Sequence, residues 1–183
     1  MPLCRVCHEP AVVVCVSCGA IQQPPTVADP FAVLGLRRAW HLDLAALEAN
    51  YRALARKIHP DRQGGKSAAD RVLALQWTAT LNSCRKILLD PDTRAWYLAT
   101  GSATPPEKGL ALDPAFLGEM FEWREDEEER PGSFAERAEV RAGEIRAEIE
   151  AMFTAWEAGT GDVSAMAEAL SRLKYVTVGR KQS

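Results

Sequence analysis

The sequence predicts a mainly α protein: a small N-terminal four-cysteine metal knuckle, a unit of four helical segments, a linker and a C-terminal antiparallel three-helix bundle. Three observations carry that expectation. Four of the five cysteines fall in two C-x-x-C pairs, Cys4 and Cys7, then Cys15 and Cys18. Apolar residues beyond Pro30 recur at alternating spacings of 3 and 4, the signature of one buried helix face. Asp29-Pro30, Asp90-Pro91 and Asp113-Pro114 each set an N-cap aspartate before a proline at the first helical position.

Residues 1–25 hold the two knuckles. Val12-Val13-Val14 suits a short strand leading into the second one, and Gly19 suits its tight turn. Four thiolates at this spacing can close a tetrahedron around Zn²⁺. A segment this short cannot fold by burial alone, so the metal would supply most of its stability. An iron centre would use the same four ligands. A redox dithiol would need only one pair and a βαβ setting that is absent here. Gln22 to Thr26, with Pro24-Pro25, reads as a linker.

Asp29-Pro30 opens a short helix that Gly35 closes. Asp43 caps the next, whose apolar stripe is Leu44, Leu47, Tyr51, Leu54 and Ile58. His59-Pro60 ends it, because the residue before a proline is pushed out of the helical region. After Gly64-Gly65 a long helix is expected from about Ser67 to Leu89, with Val72, Leu75, Ala79 and Leu81 among its apolar positions. Cys84 reads as a small core residue. Asp90-Pro91 starts a helix containing Trp96, Tyr97 and Leu98, which Gly101 closes. The bounds that follow are 26–103 for the four-helix unit, 104–112 for a linker containing Pro105-Pro106, and 113–183 for the bundle.

The bundle opens at Asp113-Pro114. Its first helix carries an acidic run from Glu125 to Glu129 and breaks at Pro131-Gly132. Ser133-x-x-Glu136 reads as a capping box for the second helix, with Ile145, Ile149, Met152 and Trp156 as its stripe. A third helix is expected from near Asp162, with Val163, Met166, Leu170 and Leu173 inward. No internal repeat is evident. On the first bundle helix, Phe116, Met120 and Trp123 make one core-facing stripe, while Leu117 and Phe121 make a second, surplus one. Bordered by Glu122 and Glu125, that pair is a candidate exposed patch.

The totals exclude several classes. A net charge of −3 gives no bulk case for nucleic-acid binding, and residues 1–25 hold one Lys or Arg, Arg5, too few to grip phosphates. No apolar run reaches the roughly 18 residues a membrane helix needs. The start lacks the charged and apolar regions of a secretory signal. A cytoplasmic protein, most simply bacterial, is expected.

The local charge is different near His59-Pro60-Asp61. Between Arg37 and Arg71 there are eight Lys or Arg and four Asp or Glu. Arg52 and Arg56, four apart, share a helix face. The triplet alone is a weak motif, and no nucleophile stands near it to make it catalytic. Its setting is specific: Tyr51-Arg52 and a basic helix before it, a long helix after it, then Asp90-Pro91-x-x-Arg94. This resembles a J-domain. The resemblance implies a partner, a DnaK-type chaperone ATPase, contacted through Arg52, Arg56, Lys57, His59, Pro60 and Asp61.

The rest of the chain resembles the HscB family, J-domain co-chaperones of iron–sulfur cluster assembly, in its members with an N-terminal Cys4 zinc knuckle. The likeness rests on Leu81-Asn82, on Leu89-Asp90-Pro91 with Arg94-Ala95-x-Tyr97-Leu98, on Asp113 to Glu119, on Glu122-Trp123-Arg124-Glu125, and on Leu170 to Tyr175. It implies that the bundle holds a scaffold protein of the IscU type through Leu117, Phe121, Glu122, Glu125 and Tyr175. It also implies that the chaperone is of the HscA or DnaK type, that Cys4, Cys7, Cys15 and Cys18 hold Zn²⁺, and that the protein does no chemistry of its own. Two other readings stay open: a J-domain serving a different client, and a redox protein using the four cysteines.

Overall fold

The structure is a computed structural model and describes residues 2–59, 67–104, 111–163 and 165–179. The described residues form seven helices: α1 (Pro30–Val33), α2 (Leu44–Ile58), α3 (Ala68–Leu89), α4 (Pro91–Thr100), α5 (Pro114–Glu129), α6 (Ser133–Glu157) and α7 (Met166–Gly179). They divide into two compact units, Met1–Arg94 and Ala95–Ser183. The division falls inside α4, where the sequence pattern suggested a break at 104–112. Arg94 is tied to the first unit: its guanidinium stacks 4.8 Å from the Trp40 ring and donates to the Leu88 carbonyl. Most of the expected linker, 105–110, lies outside the described residues.

In the first unit the knuckle segment forms no strand. The described residues carry only two isolated bridges, Leu3 with Pro10 and Val14 with Ile21. These bridges expose a duplication that the sequence hides, offset by eleven residues. Cys4 N–H donates to Glu9 and Cys15 N–H to Ala20; His8 N–H donates to Cys4 and Gly19 N–H to Cys15; Ala11 N–H donates to Pro2 and Gln22 N–H to Val13. Each knuckle ends at a left-handed residue, His8 at φ 61° and Gly19 at φ 70°. Glycine adopts that conformation at no steric cost, whereas His8 is an outlier held by the turn around it.

The aspartate caps form as expected. Asp29 accepts from the amides of Phe31 and Ala32, Asp43 from Ala45 and Ala46, Asp90 from Thr93, and Asp113 from Ala115. α2 and α3 run antiparallel. Arg85 pairs with Glu48 at 2.7 Å and lies over the Tyr51 ring, and Tyr51 Oη donates to Asn82 at 2.7 Å. The stripe of α2 is narrower than its spacing suggests: Leu47 and Ile58 are buried, but Leu44 is half exposed. On α3 the expected apolar positions divide, Leu81 facing inward with Cys84 and the others outward. Val72, Leu75 and Ala79 are exposed, and the core takes Ala74, Trp77, Leu81, Cys84 and Leu88. That stripe holds the larger side chain, Trp77, and burial of a large ring outweighs that of two smaller residues. Cys84 is a core residue, and burial pushes its thiol up to about 11.

In the second unit α6 packs against both α5 and α7. Its buried face is Phe134, Ala138, Ala142, Ile145, Ile149 and Phe153. Met152 and Trp156 are only half-buried, since the expected run from Ile149 drifts off the inward face that Phe153 holds. The capping box does not form. Ser133 is already helical, and Gly132, at φ 93°, precedes it without a side-chain cap. Glu127 does the capping from α5: its carboxylate accepts from the Gly132 amide at 2.7 Å, the Phe134 amide at 2.6 Å and the Ser133 hydroxyl. α7 starts at Met166, four residues later than expected, and buries Met166, Ala169, Leu170, Leu173 and Val176.

Candidate functional site

Three sets of residues stand out, and the first is the four-cysteine centre. The two bridged knuckles bring all four sulfurs within 4.8 Å of one another. Cys4 and Cys18 approach to 3.5 Å, and Cys7 and Cys15 to 3.4 Å. Those separations exclude disulfides, whose sulfurs sit about 2.05 Å apart. They approach the edge of about 3.8 Å that a tetrahedron with metal–sulfur bonds of about 2.3 Å requires. Cys4 and Cys15 are buried, Cys7 half-buried and Cys18 exposed.

The electrostatics of this centre favour a cation. The Cys7 and Val6 amides beside Cys4 lower its thiol to about 6. The Cys18 and Ser17 amides lower Cys15 in the same way. For Cys7 the Glu9 amide favours the thiolate, but the sulfurs of Cys15, Cys18 and Cys4, together with burial, push it up to about 12. Adjacent amides thus invite negative charge that neighbouring sulfurs resist sharing. A divalent ion removes that conflict, and four clustered thiols are a donor set that suits Zn²⁺.

Around the sulfurs lies a set of polar residues that the motif does not announce. Gln22, which the sequence assigns to a linker, is buried. Its side chain donates to Cys4 Sγ at 3.4 Å and to the Ala20 carbonyl, and accepts from the Arg5 amide. Its own carbonyl accepts from the Trp77 indole at 2.6 Å. The Arg5 guanidinium donates to the Ile21 carbonyl and to Asp70 at 2.5 Å. Asp70 also accepts from the Ser67 hydroxyl at the start of α3, and that bond, with Arg5, lowers its pKa. Nothing in the pattern marks Gln22. Trp77 was legible, because Ala74, Trp77, Leu81, Cys84 and Leu88 alternate at 3 and 4.

The second set is on α2. Arg52, Arg56 and Lys57 are exposed, and His59 is the exposed C-cap residue. At roughly 100° per residue, Arg52 and Arg56 lie far round the helix from the buried pair Leu47 and Ile58. Pro60 and Asp61 lie outside the described residues.

The third set is on α5. Phe116 and Met120 are buried, and Trp123 is half-buried against Phe134. Phe121 remains 59% exposed, Leu117 half-buried, and Glu122 and Glu125 exposed. Tyr175 of α7 sits at the margin of the core, its ring edge-on to Phe116 at 6.0 Å. The surplus apolar pair is thus left out of the core, next to two carboxylates.

Comparisons with known proteins point to one family. A family model described as the HSCB C-terminal oligomerisation domain matches residues 112–179. A co-chaperone protein HscB homolog of Bordetella pertussis is 41% identical over 124 residues, covering 64% of this chain and 73% of that protein. The homolog of Burkholderia multivorans is 35% identical over 154 residues, covering 80% and 86%. The crystal structure of human co-chaperone protein HscB matches the fold with a TM-score of 0.72 at 24% identity, over 99% of this chain and 96% of that one. Chaperone HscB from Vibrio cholerae matches with a TM-score of 0.58 at 26% identity, over 85% and 94%. Among the described residues no helix is long and apolar enough to cross a membrane. With half-exposed Phe121 on a family-matched bundle, four sulfurs gathered ahead of the helices, and relatives aligned over most of their length, the chain belongs to the HscB family of co-chaperones.

Proposed function

We propose that this protein is a two-site adaptor for iron–sulfur cluster assembly. Its first unit stimulates the ATPase of an HscA- or DnaK-type chaperone through Arg52, Arg56, Lys57, His59, Pro60 and Asp61. Its second unit carries an IscU-type scaffold to that chaperone through Leu117, Phe121, Glu122, Glu125 and Tyr175. Cys4, Cys7, Cys15 and Cys18 hold a structural Zn²⁺, the protein itself catalyses nothing, and it acts in the cytoplasm. The observation that carries this reading is the pairing of an exposed basic helix that runs into His59 with an exposed aromatic, Phe121, on a helix whose core-facing stripe is already satisfied.

The physics of each site suits its role. A basic helix face steers encounter with an acidic partner surface and weakens with salt. An exposed phenylalanine left out of the core offers the kind of apolar surface that interface cores are enriched in. Joining the two on one chain raises the effective concentration of the scaffold at the ATPase without new contacts.

Steady-state ATP hydrolysis by the chaperone, titrated with this protein with and without the scaffold, tests the reading. Stimulation should be abolished by His59→Gln and increased further by the scaffold. Leu117→Ser with Phe121→Ser should weaken scaffold binding by at least about thirtyfold, the loss of a hot spot worth about 2 kcal/mol. Stimulation without the scaffold should persist in that variant. Unchanged scaffold binding by the double variant would overturn the client assignment, and stimulation indifferent to His59 would overturn the docking site.

A further inference from the structure

The four-cysteine centre is wired to the first turns of α3. We infer that Arg5 and Gln22 are positioning residues through which metal occupancy at Cys4, Cys7, Cys15 and Cys18 fixes the start of α3, the helix that follows the His59-Pro60-Asp61 segment.

Two routes in the structure make this connection. One is polar and near the surface. Arg5 lies between Cys4 and Cys7, and its guanidinium binds the Ile21 carbonyl and Asp70, the third residue of α3. Asp70 is locked in turn to Ser67, the N-cap of α3, by the hydroxyl-to-carboxylate bond and by the Asp70 amide back to Ser67 Oγ. The other route is buried. Gln22 Nε2 donates to Cys4 Sγ, while the Gln22 backbone carbonyl takes the indole proton of Trp77, a fully buried residue on the inward face of α3.

A single residue, Gln22, therefore touches a metal-ligating sulfur at one end and the core of the helical unit at the other. Each of its polar groups has a partner in the knuckle or in α3, and Nε2 has two, Cys4 Sγ and the Ala20 carbonyl. Release of the knuckle takes the acceptor from the buried Trp77 indole and the Arg5 charge from Asp70, which keeps its bond to Ser67. Unpaired buried donors are costly, so α3 cannot keep its first turns unchanged when the metal leaves. His59 closes α2 and Ser67 opens α3, so the knuckle holds the start of the helix that follows the His59-Pro60-Asp61 triplet in sequence.

This inference rests in part on the proposed J-domain role, and the test keeps the two apart. The full chain is loaded with zinc, its metal content is measured, and amide hydrogen exchange is followed with and without a chelator. Ala68–Trp77 should exchange about tenfold faster after chelation, while Ile145–Phe153 of α6 should not change. Arg5→Ala, with zinc still bound, should produce part of that acceleration. Arg5→Lys should restore some of it by keeping a cation opposite Asp70. In the ATPase assay, zinc-loaded Arg5→Ala should raise the half-saturating concentration about fivefold and leave the maximum unchanged, the lower end of coupling between linked sites.

Unchanged exchange in Ala68–Trp77 after chelation overturns the inference. So does an Arg5→Ala variant that matches the parent in both exchange and half-saturation, or a chain that takes up no zinc. A zinc-loaded parent that fails to stimulate any chaperone overturns the J-domain reading instead, and the exchange measurement still decides the coupling.

Discussion

The knuckle segment and the helical bundle reach a defined structure by different means. From Pro2 to Gln22 the chain has a minute apolar core, Cys4, Ala11 and Cys15 with Cys7 and Ala20 against it, and depends on backbone pairing and the four thiols. The bundle buries Phe116, Met120, Phe134, Ile145, Ile149, Phe153 and the inward face of α7. Burial of each such side chain contributes about 1.5–3 kcal/mol, so the loss of one leaves the rest standing. The knuckle segment adds only Val13 and Ile21 to its small cluster of buried apolar residues. With a metal at the proposed site, such a segment would be made or unmade by an ion.

The largest expected effect strikes the knuckle and leaves the bundle standing. Cys15→Ser should abolish tight metal binding, because structural zinc in comparable small sites contributes on the order of 10 kcal/mol to folding. Metal analysis and backbone NMR would show residues 2–22 disordered and the signals of α5–α7 in place. Loss of the bundle signals too would break the comparison.

The converse experiment is Phe153→Ala. Phe153 is fully buried and edge-on to Trp156 at 6.3 Å. The substitution should cost about 3–5 kcal/mol in the second unit, read from denaturant unfolding, with zinc content unchanged.

A smaller effect is expected where the knuckle meets the helices. Trp77→Phe keeps a buried ring but removes the donor to Gln22, and should cost about 1–3 kcal/mol. It should also make zinc easier to extract with a chelator, a change that Phe153→Ala does not produce. Equal zinc release from the two variants would show that the link does not run through Trp77.

The smallest is a pH effect confined to the bundle. The Gly132 and Phe134 amides hold the Glu127 carboxyl below its ordinary value of 4.5. A lowered folded-state value means that the contribution is complete above about pH 4.5 and is lost as pH falls through the depressed value. The melting temperature of the second unit should decline over that acid range, and Glu127→Gln should flatten the decline.

The same contrast explains what could be read in advance. Local chemistry was legible: the cysteine spacing, the four aspartate caps, the glycine turns and the surplus Leu117 and Phe121. Long-range partners were not. Glu127 caps α6 from the preceding helix and displaces a capping box that local pattern favours, because its carboxylate reaches Gly132 and Phe134 across the turn. Gln22 follows a knuckle and precedes two prolines, so its residue type says linker, while its contacts come from Trp77, 55 residues later. The α3 stripe was partly misplaced because two interleaved apolar patterns compete there, and only the position of Trp77 decides between them. The eleven-residue duplication stayed hidden because it is a duplication of hydrogen bonds, with the cysteines its only shared side chains.

The bond between Gln22 and Trp77 also bears on how the protein is made. A ribosome delivers both knuckles long before it delivers Trp77. Through that interval the four thiols, the proposed metal ligands, have no helical unit to lean on. The finished knuckle then offers one oriented carbonyl, on Gln22, to the indole of a helix still to come. Translation thereby converts the order of residues into an order of events, and with Zn²⁺ as the proposed ion a cell short of that metal would feel the shortage first in newly made chains.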